Sequence, residues 1–144
     1  MRPSLIDTDI FSFMLKKDTI VLENIQKYLK EFKRLNISII TYYEVLSGLK
    51  YAGAISKLAK LEYFVKHNNV IEIDKDTVQS AADIYVHLRK EGMLISQADI
   101  LIAGVAKSKN LVLVTNNVSH FDRIPELEIE NWHTKDIIGN KNIL

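Results

Sequence analysis

The sequence predicts an α/β fold with a parallel sheet of four to five strands, flanked by helices on both faces. Short, largely apolar runs at residues 4–7, 37–40, 70–73 and 111–114 alternate with longer stretches, and a weaker run lies near 128–130. Runs that are apolar throughout are typical of strands buried on both faces, as parallel strands are. Strands that alternate with helices favour crossover connections and therefore a parallel sheet.

The stretches between these runs carry helical signals. Apolar residues recur at helical spacing after the first run, at Ile20, Ile25 and Leu29 among others. Asp74 is a suitable N-terminal cap and Gly92 a suitable terminator for one long helix. From these signals, helices are expected at residues 8–15, 19–35, 42–52, 54–67, 74–90 and 97–109.

Length and composition exclude several classes of protein. At 144 residues, the chain has the size of one domain, and residues 1–144 are expected to form it. No cysteine is present, so disulfides, zinc–thiolate sites and cysteine nucleophiles are excluded. No apolar run reaches the ~18 residues of a membrane helix. Asp7 and Asp9 stand where a signal peptide would be apolar, so we expect a cytoplasmic protein without membrane contact.

Two further features concern partners. A basic run at residues 27–34 permits contact with phosphates, although a solvated helix face is its commoner use. The predicted helices at 42–65 carry more apolar residues than one core face needs, which suits core packing first and a partner peptide second. These apolar residues are Tyr42, Leu46, Leu49, Leu58, Leu61 and Phe64.

Polar side chains stand near the ends of the predicted strands. Asp7 ends the first run, Glu44 follows the second, and Thr115 and Asn117 follow the last strong one, while Asp99 opens the helix before it. In open parallel sheets, ligands bind outside the carboxyl ends of the strands, where such residues converge. Carboxylates gathered there repel one another unless a cation lies between them, and Mg²⁺ prefers oxygen ligands. The pattern predicts a metal-dependent enzyme.

Each acid also has a purely structural explanation. Thr41 with Glu44, and Ser96 with Asp99, fit capping boxes, and Asp7 is placed to cap the first helix. Taken singly, capping is the better explanation. Taken together, carboxylates at buried strand ends are costly, and no Lys or Arg lies near them in sequence to neutralise them. The combined set therefore favours a metal site over capping alone.

The expected roles follow from side-chain length and chemistry. Asp7 and Asp99 are the first choices for metal ligands, and the longer Glu44 is expected to bind a second ion or hold a water. Thr115 and Asn117 would fix waters or contact the scissile phosphate. No His-x-x-x-His spacing is present, so a zinc site is not expected.

Four motifs follow one another along the chain: Leu5-Ile6-Asp7-Thr8-Asp9, Ile40-Thr41-x-x-Glu44-x-x-x-Gly48, Asp99-x-x-Ile102-Ala103 and Val114-Thr115-Asn116-Asn117-x-x-x-Phe121. In this order they resemble those of the PIN-domain ribonucleases, with the greatest likeness to the VapC toxins of toxin–antitoxin pairs. The resemblance covers nearly the whole chain and implies a PIN-like, Rossmann-like sheet. It also implies a Mg²⁺- or Mn²⁺-dependent endoribonuclease that cuts structured RNA such as tRNA or rRNA. Such enzymes are usually homodimers held inactive by a VapB-type antitoxin.

Carried over by position, the resemblance makes Asp7, Glu44 and Asp99 the acids, with Thr115 and Asn117 in the last motif. Many members of the family hold a further acid in that motif, where this chain has Asn117 and His120. This departure leaves open whether a second metal ion binds. The nearby candidates for compensation are Asp9 and Asp122, and His120 is a candidate for substrate contact.

Two alternatives compete with this interpretation. Asp7-Thr8-Asp9 also fits the first motif of a haloacid-dehalogenase-type phosphatase, in which Asp7 would be the nucleophile. That family needs a lysine and a later acidic pair, and residues 116–144 lack its Gly-Asp-x-x-x-Asp motif. The second alternative is a PIN-like module that binds RNA or a partner without cutting, which the missing acid would favour.

Overall fold

The computed structural model describes residues 1–135, which form an α/β fold of five short strands and seven helices. The strands are β1 Ser4–Ile6, β2 Asn36–Ser38, β3 Asn69–Ile71, β4 Val112–Val114 and β5 Ile129–Glu130. The helices are α1 Thr8–Leu15, α2 Thr19–Glu31, α3 Ile39–Ala52, α4 Ile55–His67, α5 Lys75–Lys90, α6 Gln97–Ser108 and α7 Val118–Phe121. The predicted fold class, with four to five strands, is confirmed.

The strands pair in parallel, with β4 between β1 and β5 and with β2 beside β3. No backbone ladder joins β1 to β2, although the two strands lie side by side. Side chains connect them instead. The Asn36 amide donates to the Ser4 carbonyl where both strands begin, and the Thr8 and Thr41 hydroxyls meet just past their ends. β1 therefore lies between β2 and β4. The chain runs from β1 to β2 and β3 on one side and then returns past β1 to β4 on the other, so the strand order reverses beside β1 and a crevice opens at its carboxyl end.

The core has two layers because successive strand residues point to opposite faces of the sheet. Leu5 and Leu113 pack with α5, α6 and α7 on one face, whereas Ile6 and Val114 pack with α1, α2, α3 and α4 on the other. Most of the additional apolar residues noted at 42–65 pack against this second layer. Leu61 and Phe64 are buried there, Tyr42, Leu46 and Leu49 pack partly buried against it, and Leu58 is half-buried.

The boundary between β2 and α3 differs from the prediction. Ile39 and Ile40 begin α3 rather than ending the strand, because the Ser38 hydroxyl caps the helix by accepting the Thr41 amide at 3.0 Å. The capping box expected from Thr41 and Glu44 is therefore wrong, since the cap lies three residues earlier. Glu44 instead lies in the second turn of α3, where its carboxylate is available for other contacts.

The remaining elements follow the prediction closely. Asp74 caps α5 by accepting from the Thr77 amide, and Gly92 adopts φ +67° after the helix ends. The helix expected at 19–35 ends at Glu31, because Phe32 is extended before the next strand. The short helix α7 was not predicted. In residues 1–135, no helix has the length and apolarity needed to cross a membrane.

Candidate metal-dependent active site

Asp7 lies at the centre of the crevice, directly after β1. It is buried, with 5% of its surface exposed, and it caps α1 by accepting the Thr8 amide at 2.8 Å. Its second carboxylate oxygen accepts the Thr115 hydroxyl from the end of β4, also at 2.8 Å. The same Thr115 oxygen accepts the Asn117 amide at 2.9 Å. One hydroxyl therefore couples the Asp7 carboxylate to the β4–α7 loop.

Asp9 also connects the start of α1 with the loop after β4, through its two carboxylate oxygens. One oxygen accepts the Ile10 amide at 2.7 Å, and the other accepts the Asn116 amide at 3.0 Å. The Asn116 side-chain oxygen in turn accepts a hydrogen bond from the Asn131 side-chain nitrogen at 3.0 Å. This bond brings the end of β5 to the crevice. Asp9 thus joins the first turn of α1 to the loop after β4.

Glu44 reaches the crevice from α3 through Thr8. The Thr8 hydroxyl donates to a Glu44 carboxylate oxygen at 2.7 Å and lies 3.0 Å from the Thr41 hydroxyl. Because Thr8 directly follows Asp7 in the first turn of α1, this contact places Glu44 next to the β1 end. The sequence did not indicate Thr8 as a site residue, since nothing in it shows which acid a hydroxyl will contact.

Asp99 enters from the first turn of α6, where Ser96 caps the helix by accepting the Asp99 amide. Its carboxylate lies 3.6 Å from His120 Nδ1. The Asn117 side-chain nitrogen lies 2.7 Å from that same Nδ1. With its proton on Nε2, the neutral His120 ring accepts the amide hydrogen at Nδ1, so it orients Asn117 beside Asp99.

The electrostatics of the crevice are those of crowded carboxylates. Burial, then the Asp9 charge and more weakly the Asp99 charge, raise the pKa of Asp7 to about 7, against the lowering effect of the Thr115 and Thr8 hydrogen bonds. Burial also raises the pKa of Asp9, with a smaller contribution from Asp99. Within residues 1–135, no Lys or Arg forms an ion pair with Asp7, Asp9, Glu44 or Asp99. Within that part of the chain, these four carboxylates therefore have no Lys or Arg counter-ion.

The donor set fits a hard divalent cation, because it consists of carboxylate, hydroxyl and amide oxygens around uncompensated negative charge. In the described part of the chain, no three Asp, Glu or His side chains are already arranged as a complete metal-binding group. The fit thus rests on donor chemistry and charge.

The structure brings most of the predicted residues together. Asp7, Asp9, Thr115, Asn117, Asp99 and His120 are linked by the contacts above, and Glu44 joins them through Thr8. Asp122 is exposed at the end of α7, and no hydrogen bond or ion pair within residues 1–135 joins it to these side chains. Sequence reasoning missed Asn131, although it follows a strand end as Asp7 and Thr115 do.

Arg123 was also missed. Its guanidinium donates to the Ser119 carbonyl at 3.1 Å and to the Met93 carbonyl at 3.2 Å. These two bonds hold α7, which carries His120, against the loop that precedes α6 and Asp99. Nothing in the sequence signals this role, because it depends on two backbone carbonyls that lie far apart along the chain.

This arrangement of acids at the carboxyl ends of a parallel α/β sheet agrees with the comparison to known families. The PIN domain profile matches residues 4–127, and the chain belongs to the PIN domain family. The haloacid-dehalogenase alternative is thereby rejected, since the match covers the motif on which it relied.

Within this family, the chain is similar to VapC proteins. It is 33% identical over 131 residues to the tRNA(fMet)-specific endonuclease VapC of Salmonella typhimurium, a match covering 85% of this chain and 99% of that one. It is 31% identical over 133 residues to Ribonuclease VapC2 of Rickettsia felis, covering 89% and 96%.

Solved structures show the same likeness. The chain in DNA-bound VapBC from Salmonella typhimurium superposes with a TM-score of 0.80 at 32% identity, covering 92% of this chain and 99% of that one. The chain in VapBC2 from Rickettsia felis, bound to a DNA fragment from its promoter, gives a TM-score of 0.83 at 27% identity, covering 90% and 98%.

Proposed function

We propose that this protein is the toxin of a VapBC-type pair and acts as a Mg²⁺- or Mn²⁺-dependent endoribonuclease. The observation that carries the proposal is the gathering of Asp7, Asp9, Glu44 and Asp99 at one sheet edge without a Lys or Arg partner in residues 1–135. The names of its relatives, a tRNA-specific endonuclease and a ribonuclease, support RNA as the substrate. Structured RNA, tRNA in particular, is the proposed target.

Asp7, Asp99 and Glu44 would hold the ion. When bound, such an ion withdraws electron density from a phosphoryl oxygen and neutralises charge that develops on the phosphate. Thr115 holds the Asp7 carboxylate in place through its hydroxyl. Asn117 contacts His120, which lies next to Asp99, and these two side chains would hydrogen-bond a phosphate or an attacking water.

The partner follows from the relatives, because the similar structures are toxin–antitoxin complexes. We propose that a VapB-type antitoxin neutralises this chain. A homodimer and a cytoplasmic location also stay predictions, as does the single domain spanning residues 1–144.

The proposal is tested by incubating the purified, antitoxin-free protein with total cellular RNA in Mg²⁺ or in EDTA. We expect discrete fragments that require the metal. Asp99→Asn keeps the shape of the side chain and removes its charge, so it should abolish them. Asp83→Asn is the matched control, because Asp83 is an exposed acid on α5, the neighbouring helix.

Intact RNA from folded wild-type protein in Mg²⁺ would contradict the proposal and favour a PIN-like module that binds without cutting. Magnesium binding, measured by calorimetry, separates the two functions further. A nuclease should lose binding with Asp7→Asn or Asp99→Asn, whereas a silent binding module need not hold the ion at these residues.

A further inference from the structure

The hairpin of α3 and α4 exposes three tyrosines that the core does not use. Tyr43, Tyr51 and Tyr63 are 68%, 97% and 67% exposed. Exposed lysines stand among them, and we call the set Tyr43, Lys50, Tyr51, Lys60, Tyr63 and Lys66 the hairpin surface. Aromatic side chains interleaved with basic ones are typical of surfaces that bind single-stranded nucleic acid, because rings stack on bases and lysines attract phosphates.

The charge of the hairpin stands out from that of the rest of the chain. The hairpin, residues 39–67, contains four Lys and two Glu, a net charge of +2, while the other residues contain 15 Lys or Arg and 16 Asp or Glu, a net charge of −1. Within residues 1–135, none of these four lysines forms an ion pair. Their charge is thus available to a polyanion.

Tyr51 of the hairpin surface lies on the same side of α3 as Glu44 of the candidate active site. Tyr51 follows Glu44 by seven residues, which is about two turns and about 10 Å along the same side of the helix. Ser47 and Gly48 lie between them on that side and are small and exposed. A Cβ built on Gly48 would meet no atom within 4 Å. The path from Glu44 to Tyr51 is therefore open to a strand lying on the helix.

We propose that the hairpin surface binds a single-stranded segment of the RNA substrate beside the cleaved bond. A base stacks on Tyr51, and the lysines contact the phosphates of the same segment. The occupant is RNA because the surface combines positive charge, exposed aromatic faces and an open path to the carboxylates. This inference rests on the proposed nuclease function for its substrate, although it is tested by binding alone.

The test measures binding of fluorescein-labelled oligouridine of about 12 nucleotides by anisotropy, in EDTA so that cleavage does not contribute. Tyr51→Ala should weaken binding about tenfold, since stacking on one base is of that order. Tyr51→Trp should stay within about twofold of wild type, because it keeps an aromatic face. A Lys50→Gln, Lys60→Gln, Lys66→Gln triple variant should reduce the slope of log affinity against log salt by about 2.

The matched control removes the same number of charges away from the hairpin and from the basic run at residues 27–34. Lys16→Gln, Lys75→Gln and Lys90→Gln alter exposed residues at the ends of α1 and α5, and should leave affinity within about twofold. Unchanged oligouridine affinity in Tyr51→Ala and in the hairpin triple variant would overturn the proposal. The proposal would also be overturned if the wild type sediments as a dimer, the same variants sediment as monomers and their RNA affinity is unchanged. That result would assign the surface to contact with a second copy of the chain.

The two proposals fail separately. If RNA stays intact in Mg²⁺ but the hairpin variants lose oligouridine binding, the hairpin surface stands and the nuclease function falls. If RNA is cleaved and the hairpin variants bind as the wild type does, the nuclease stands and the surface is wrong.

Discussion

Replacing Asp7 with Asn should stabilise the metal-free protein at neutral and alkaline pH, even though it removes a proposed metal ligand. Burial and the Asp9 charge raise the pKa of Asp7 from 3.8 to about 7. That difference corresponds to about 4 kcal/mol of unfavourable free energy for holding the charged carboxylate in the fold at pH 8. Because the folded-state pKa is the higher one, the penalty is nearly absent at pH 4 and grows until about pH 7.

The amide offsets part of this gain. Asn offers one acceptor oxygen, whereas the Asp7 carboxylate accepts from both the Thr8 amide and the Thr115 hydroxyl. Losing one of these bonds costs about 1 kcal/mol. Asp7→Asn should therefore raise the free energy of unfolding by about 2–3 kcal/mol at pH 8. At pH 4 the lost bond outweighs the small charge penalty, so the variant should be no more stable than wild type.

The assay is urea unfolding in EDTA at both pH values. It can follow the fluorescence of Trp132, the chain's single tryptophan, which is 1% exposed. Asp83→Asn is again the control and should show no such pH dependence. A variant that is no more stable than wild type at pH 8 would refute the argument from crowded charge. Mg²⁺ at pH 8 should then stabilise the wild type and not Asp7→Asn.

Three further predictions concern the frame of the site. Gly104→Ala places a Cβ 2.9 Å from the Ala81 Cβ where α5 and α6 pack, so urea unfolding should show a loss of about 1–3 kcal/mol. Arg123→Leu removes the bridge that its guanidinium makes from the Ser119 carbonyl of α7 to the Met93 carbonyl before α6, and should lower the thermal midpoint by a few degrees together with the cleavage rate. His120→Ala should slow cleavage about tenfold at an unchanged thermal midpoint, because His120 supports groups beside Asp99 without belonging to the core. Unaltered cleavage by His120→Ala would show that this contact has no role in the reaction.

The fold was largely predictable because its buried strands are short apolar runs between helices with clear apolar spacing. The error at Ile39 and Ile40 has a physical cause. β-branched residues favour strands, so they concealed the Ser38 cap that begins α3 one residue after the strand. Boundaries of this kind depend on which backbone amides find a side-chain partner, and the apolar pattern does not record that.

The candidate site was predictable to the extent that strand ends converge. That rule selects Asp7, Thr115 and, had it been applied to the last strand, Asn131. The partners of each acid were not predictable, because Thr8 reaches Glu44 only through the fold. The strand-end rule indicates which strand ends converge, whereas the hydrogen bonds among their side chains depend on the folded structure.

The missing ladder between β1 and β2 has a consequence for how the site is assembled. It leaves a seam through the sheet, with Asp7 on one side and Glu44 on the other. Apart from packing, hydrogen bonds cross this seam at two places. Asn36 donates to the Ser4 carbonyl where the strands begin, and the Thr8 hydroxyl contacts Thr41 and Glu44 beyond the ends of the strands. Small changes along this seam can alter the separation of the two carboxylates while every strand pair on either side stays intact.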